Sequence, residues 1–78
     1  MNFIIRKRGK APIAIECKWA AKKFDAANLQ AFARQYPKAT MFVVTQDVER
    51  PYSQKVNGIS VKFVSLPALV EAVADHTV

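Results

Sequence analysis

Pro12-Ile13-Ala14-Ile15-Glu16-Cys17-Lys18-Trp19 is the stretch on which the reading of the whole chain turns. Its alternation predicts a strand with Ile13, Ile15 and Cys17 on one face and Ala14, Glu16 and Lys18 on the other. At roughly 3.3 Å per residue, Glu16 and Lys18 leave the same side about 7 Å apart, so both can reach one phosphate or one metal-bound water. The same triplet also makes an ordinary ion pair on a half-exposed strand. The surrounding sequence has to weigh one against the other.

Upstream, Phe3 and Ile5 alternate with Asn2, Ile4 and Arg6, and Arg8-Gly9-Lys10 is polar with a glycine, which predicts a hairpin into the Pro12 strand. A three-residue loop at 8–10 pairs Lys7 with Ala11, Ile5 with Ile13, Phe3 with Ile15 and Asn2 with Glu16. That register gathers the large apolar residues on one face. It also brings Asn2, Glu16 and Lys18 to the open end of the hairpin, with Arg6 further along the same face beside Ile4 and Ala14. Ile4 and Ala14 are too apolar for water, so a helix or another chain should cover part of that face.

Downstream, Trp19 to Phe24 reads as a connector and Asp25 as the N-cap of a helix running to about Tyr36. Leu29, Phe32, Ala33 and Tyr36 form its apolar stripe, and Pro37 ends it. Asn28, Gln30, Arg34 and Gln35 fall on the other positions, where solvated surface is the common fate. Thr40 to Thr45 holds the continuous apolar run Met41 to Val44, the pattern of an interior parallel strand reached by a crossover. Gln46 to Gly58 is polar, with Pro51 and an Asn57-Gly58 turn signal, and reads as a loop carrying Arg50, Tyr52 and Lys55. Ile59, Val61 and Phe63 alternate with Ser60, Lys62 and Val64 in a further strand. Ser65 then caps a final helix with Pro67 in its first turn and Leu66, Leu69, Val70 and Val73 as its stripe. His76 has no metal-ligand partner nearby in sequence and receives no role.

The totals bound the function. A chain of 78 residues with 51% apolar composition makes one small folded domain, near the size at which help from a partner chain becomes useful. Twelve Lys and Arg against six Asp and Glu leave a net charge of +6, which suits a polyanion such as DNA. The cations concentrate early, at Arg6, Lys7, Arg8, Lys10, Lys18, Lys22 and Lys23. The one cysteine, Cys17, excludes an internal disulfide framework, reads as a buried inert thiol and fits a reducing cytoplasm. No run approaches the ~20 apolar residues of a membrane span, and no signal peptide is recognisable.

A hairpin bearing Glu-x-Lys, then a helix, then a buried strand resembles the α/β restriction-endonuclease-like PD-(D/E)xK fold. Asn2-Phe3-Ile4-Ile5, Ile15-Glu16-Cys17-Lys18-Trp19, Tyr36-Pro37 and Phe42-Val43-Val44-Thr45 are similar to the C-terminal nuclease-like domain that follows the ATPase module in many prokaryotic AAA-type ATPases. The likeness runs from Asn2 to about Val73. It implies that Glu16 ligates Mg2+ or Mn2+ and that Lys18 is the catalytic lysine. The family's second metal-binding carboxylate, an Asp on the preceding strand, is matched by Asn2, which offers an oxygen without charge. The helix and first strand that precede this point in the family have no counterpart here, so the expectation is a truncated core.

Three functions follow as expectations. The first is a nuclease-like module with an incomplete metal site, impaired or inactive in cleavage, that binds nucleic acid through a basic face of Arg6, Arg8, Lys10, Lys18 and Lys22. The second is a protein-interaction or dimerisation module in which Phe3 to Ile5 forms an apolar sheet edge that another chain covers. The third is a Mg2+-dependent endodeoxyribonuclease in which Asp47, just beyond the buried strand, replaces the missing acid.

Overall fold

The structure, a computed structural model, describes residues 2–6, 8–21 and 27–77, with the backbone alone at residues 2, 28 and 75–77. Its order is β1 (Asn2–Ile5), β2 (Ile13–Cys17), α1 (Ala27–Gln35), β3 (Thr40–Val44), β4 (Tyr52–Val56), β5 (Ile59–Val64) and α2 (Leu66–Thr77). The strands form one five-stranded mixed sheet in the order β1-β2-β3-β5-β4. This is an α/β domain.

β1 pairs antiparallel with β2 in the register Asn2↔Glu16, Phe3↔Ile15, Ile4↔Ala14 and Ile5↔Ile13. That is the pairing the apolar pattern requires, because a slip of one residue would turn each side chain to the wrong face. β2 and β3 run parallel from Ile13↔Thr40 to Cys17↔Val44, and β3 and β5 run parallel from Met41↔Val61 to Val44↔Val64. The ladder continues past the end of β2, where Lys18 N–H donates to Val44 O at 2.9 Å. β3 is therefore flanked on both sides, which is why Met41 to Val44 can be apolar without alternation.

Each sheet face has its own core. On one face Ala14, Met41, Val43, Val61 and Phe63 pack with Leu29 of α1 and Val48, and Phe32 and Ala33 lean on the same cluster. On the other, Ile13, Ile15, Phe42, Val44 and Val64 pack with Leu69 of α2, joined by Ile5, Cys17, Ala68 and Val73. Val43 at 0% and Val61 at 1% exposure mark the centre. Removing either side chain would leave an unfilled space that the surrounding sheet cannot close.

Gln46 to Gly58 does not form the loop expected of it. Tyr52–Val56 is a strand antiparallel to β5, closed by the two-residue turn Asn57-Gly58 with φ of 51° and 83°. Two left-handed residues in succession match the twist of a hairpin, which is what the Asn-Gly dipeptide signals. The strand is polar because it lies at the sheet edge, and it packs through Tyr52, stacked on Phe63 at 4.9 Å, and through Val56 against the core.

Two more expectations need correction. In α2, Leu69 is buried but Leu66 and Val70 are 62% and 61% exposed. The helix lies on the line Leu69–Val73, and Leu66–Val70 forms the neighbouring line one step around the helix, past the covered face. Cys17 is half-buried rather than buried. Of the cover expected over Ile4 and Ala14, Ala14 is buried and Ile4 is half-exposed. The cap is as read: Ala68 N–H donates to Ser65 Oγ at 3.3 Å and Leu69 N–H to Ser65 O at 3.0 Å. The proposed Asp25 cap lies outside the described residues.

Candidate nucleic-acid interface and the Glu16–Lys18 pair

The parallel strands give the sheet two unlike ends. Cys17, Val44 and Val64 are level at the carboxyl end, while Ile13, Thr40 and Ser60 mark the amino end.

At the carboxyl end Glu16 is 1% exposed, although it is a carboxylate, and its Oε1 lies 3.8 Å from Lys18 Nζ. The Lys18 side chain is about one third exposed. Asn2 stands opposite Glu16 in the ladder, as the register argument requires. Asp47 is committed elsewhere. It accepts from Thr45 Oγ1 at 2.7 Å and from the Ala21 backbone N–H at 3.1 and 3.3 Å, tying the segment after β2 to the segment after β3.

The resemblance implies Mg2+ or Mn2+ here, so the fit of the residues matters. Among the described residues no group of three or more His, Cys, Asp or Glu side chains is placed to hold a metal ion. Glu16 is enclosed and paired with Lys18, and Asp47 holds backbone and hydroxyl. Asn2, the other ligand that the resemblance implies, is described in its backbone alone.

The amino end is different. The turn between β1 and β2 presents Arg6, Arg8 and Lys10, which line a cleft of about 390 Å3 with Gly9, Pro12 and Tyr36. Arg6 lies over the Tyr36 ring at 5.2 Å and its Nη1 donates to Tyr36 Oη at 3.3 Å. Tyr36 itself rests on Phe32 at 4.8 Å, so α1 props the arginine up. Thr40 N–H donates to Pro12 O at 3.1 Å, which sets the Pro37-Lys38 turn beside the same cleft. Arg34, from the last turn of α1, lines a second cleft with Asn57 and Ile59, and Lys55 pairs with Ser60 at the adjoining hairpin.

Six cations, Arg6, Arg8, Lys10, Arg34, Lys38 and Lys55, therefore gather at one end, and all six are exposed. The described carboxylate side chains lie elsewhere. Glu16, Asp47 and Glu49 are at the carboxyl end, and Glu71 is midway along α2.

Of the residues expected in a basic face, the structure brings Arg6, Arg8 and Lys10 together. It places Lys18 at the other end of β2, about 23 Å from Ala11 at roughly 3.3 Å per residue. Lys22 lies outside the described residues. Arg34, Lys38 and Lys55 join the cluster from 24 or more residues away in sequence, and only the topology reveals it.

No protein-family model, curated protein or solved structure matches the chain. Among the described residues no helix is long and apolar enough to cross a membrane.

Proposed function

We propose that this protein is a nucleic-acid-binding module that holds the phosphate backbone at the amino end of its sheet, and that its nuclease-like Glu16–Lys18 pair serves the fold rather than cleavage. One observation carries the reading: Arg6, Arg8 and Lys10 share one cleft, and the exposed Arg34, Lys38 and Lys55 lie along the same end of the sheet, where no described carboxylate side chain is found. A like-charged cluster raises the energy of the folded state and is compensated when a polyanion supplies the missing charge. Long flexible Lys and Arg side chains on turns and a helix end suit phosphates rather than base edges. Binding should then be salt-dependent and weakly sequence-specific. The burial of Glu16 beside Lys18 supports the second half, because an enclosed carboxylate with an ammonium 3.8 Å away acts on the stability of the fold.

The test is anisotropy of a labelled DNA duplex and of a single strand between about 50 and 200 mM salt. With about four of the six cations engaged, log Kobs should fall against log salt with a slope near −4 for the duplex. Arg8→Gln with Lys10→Gln should lower that slope by about 2. A flat salt dependence, or a slope that the double substitution leaves in place, would sink the reading.

A second reading is favoured by β1. It is an outer strand, its residues Asn2-Phe3-Ile4-Ile5 carry no charge, and Phe3 and Ile4 are 48% and 52% exposed on opposite faces. Such an edge accepts another strand, and a second copy paired antiparallel about Ile4 would set Phe3 beside Ile5 of the partner. Sedimentation at micromolar concentration tests this reading. A dimer lost in Phe3→Lys supports it, and a monomer at all concentrations removes it.

A further inference from the structure

The crevice beyond the carboxyl ends of β2, β3 and β5 has no part in the phosphate-binding end. It is an open crevice of about 540 Å3 lined by the ends of β2 and β3, the residues that follow them and the start of α2: Lys18 and Trp19, Val44 and Thr45, and Leu66 and Pro67. Its origin is topological. α1 packs on one face of the sheet and α2, which follows β5 directly, on the other, so the carboxyl ends of the strands lie between the two layers. The volume lies within the range of sites for molecules of drug or nucleotide size.

The lining specifies the ligand's chemistry. Trp19 is 73% exposed and Leu66 62% exposed, two large apolar side chains left in water on the rim of the same crevice, while Pro67 and Val44 extend the apolar wall. A flat aromatic ring fits such a slot, stacked on the indole. Among the described residues Lys18 brings the one ammonium in the lining, and the Thr45 and Ser65 hydroxyls are engaged by Asp47 and by the first turn of α2. Glu16 lies 3.8 Å behind the Lys18 ammonium and holds it in position without covering it, since the side chain stays about one third exposed. An aromatic ring alone would leave the ammonium unused, and an anion alone would leave the apolar wall wet.

We propose that this crevice binds an aromatic ring bearing an anionic group, a nucleoside 5′-monophosphate or the terminal nucleotide of a strand, with the ring on Trp19 against Leu66 and the phosphate on Lys18. The inference is independent of the cationic end.

Trp19 is the chain's one tryptophan, so its fluorescence reports on the crevice directly. The first titration uses adenosine 5′-monophosphate, with adenosine and inorganic phosphate as separate arms. Saturable quenching by the monophosphate is expected, with adenosine and phosphate each at least about tenfold weaker. Leu66→Gln, at an exposed position that leaves the fold intact, should weaken the monophosphate and adenosine alike by about tenfold, and Lys18→Gln made together with Glu16→Gln, which removes both charges of the pair, should bring the monophosphate down to the level of adenosine. A 5′-phosphorylated oligodeoxyadenylate binding more tightly than the monophosphate assigns the ligand to a strand end, and weaker binding assigns it to a free nucleotide. Absence of saturable quenching overturns the proposal. So does equal affinity for adenosine and its monophosphate, or a Leu66→Gln protein that binds as the wild type does.

Discussion

The two ends of the sheet divide the chain's charge in opposite ways. At the carboxyl end the charges have partners within the fold, the enclosed Glu16 against a part-exposed Lys18 and the exposed Asp47 against Thr45 and the Ala21 amide. At the amino end Arg6, Arg8, Lys10, Arg34, Lys38 and Lys55 stand in water, steadied where Tyr36 holds Arg6. Polar groups turned inward act on stability, because losing one leaves its partner buried and unmatched. Charges turned outward act on association and contribute little to the folded state. The same residue types thus do different work at opposite ends of one 78-residue domain.

This contrast can be broken by substitution. The largest effect should come from Lys18→Met, which removes the ammonium 3.8 Å from the enclosed Glu16 carboxylate and should cost about 3 kcal/mol of unfolding free energy in urea, with Glu16→Gln added on top restoring much of it. A loss below about 0.5 kcal/mol would mean that Glu16 does not depend on its neighbour. Next, Arg6→Gln, Arg8→Gln and Lys10→Gln together should weaken duplex binding about 100-fold at low salt while shifting stability little, and the same change at Arg50, an exposed arginine of the opposite end, should weaken it less than about twofold. Equal losses at both ends would show that net charge, not its placement, governs binding. Asp47→Ala should cost about 2 kcal/mol through the stranded Thr45 hydroxyl and Ala21 amide, with no change in DNA affinity. The smallest effect belongs to the amino end. Gly58→Ala meets nothing within 4 Å, so only its φ of +83° opposes the methyl, and thermal unfolding should report a loss of about 1 kcal/mol.

Much of this arrangement was legible in the sequence where side-chain alternation and turn chemistry agree. The hairpin register follows from four apolar residues that must share a face, and β3 follows from an uninterrupted apolar run, since a strand with neighbours on both sides has no solvent side to mark. β4 was not legible. Tyr52-Ser53-Gln54-Lys55-Val56 is as polar as a loop because an edge strand with water on most of its surface has no apolar alternation to display. Asn57-Gly58 was the better guide, since a turn with two left-handed residues requires a strand on each side of it. Similar reasoning applies to the site. Glu16 and Lys18 were found as a pair from their spacing, but nothing local says that Glu16 is enclosed. The separation of Lys18 from Arg8 and Lys10 follows only once β2 is known to span the sheet.

The strand order has a consequence for a chain made from its amino terminus. β4 is completed before β5, yet β5 is its neighbour in the sheet and stands between β4 and the centre. During synthesis, therefore, β4 emerges with no ladder to join and must wait until Val64 has left the ribosome. A strand of isoleucines and valines exposed over that interval would invite pairing with other nascent chains. Ser53, Gln54 and Lys55 keep the waiting strand soluble, and the two-residue turn then folds it onto β5 as soon as that partner exists.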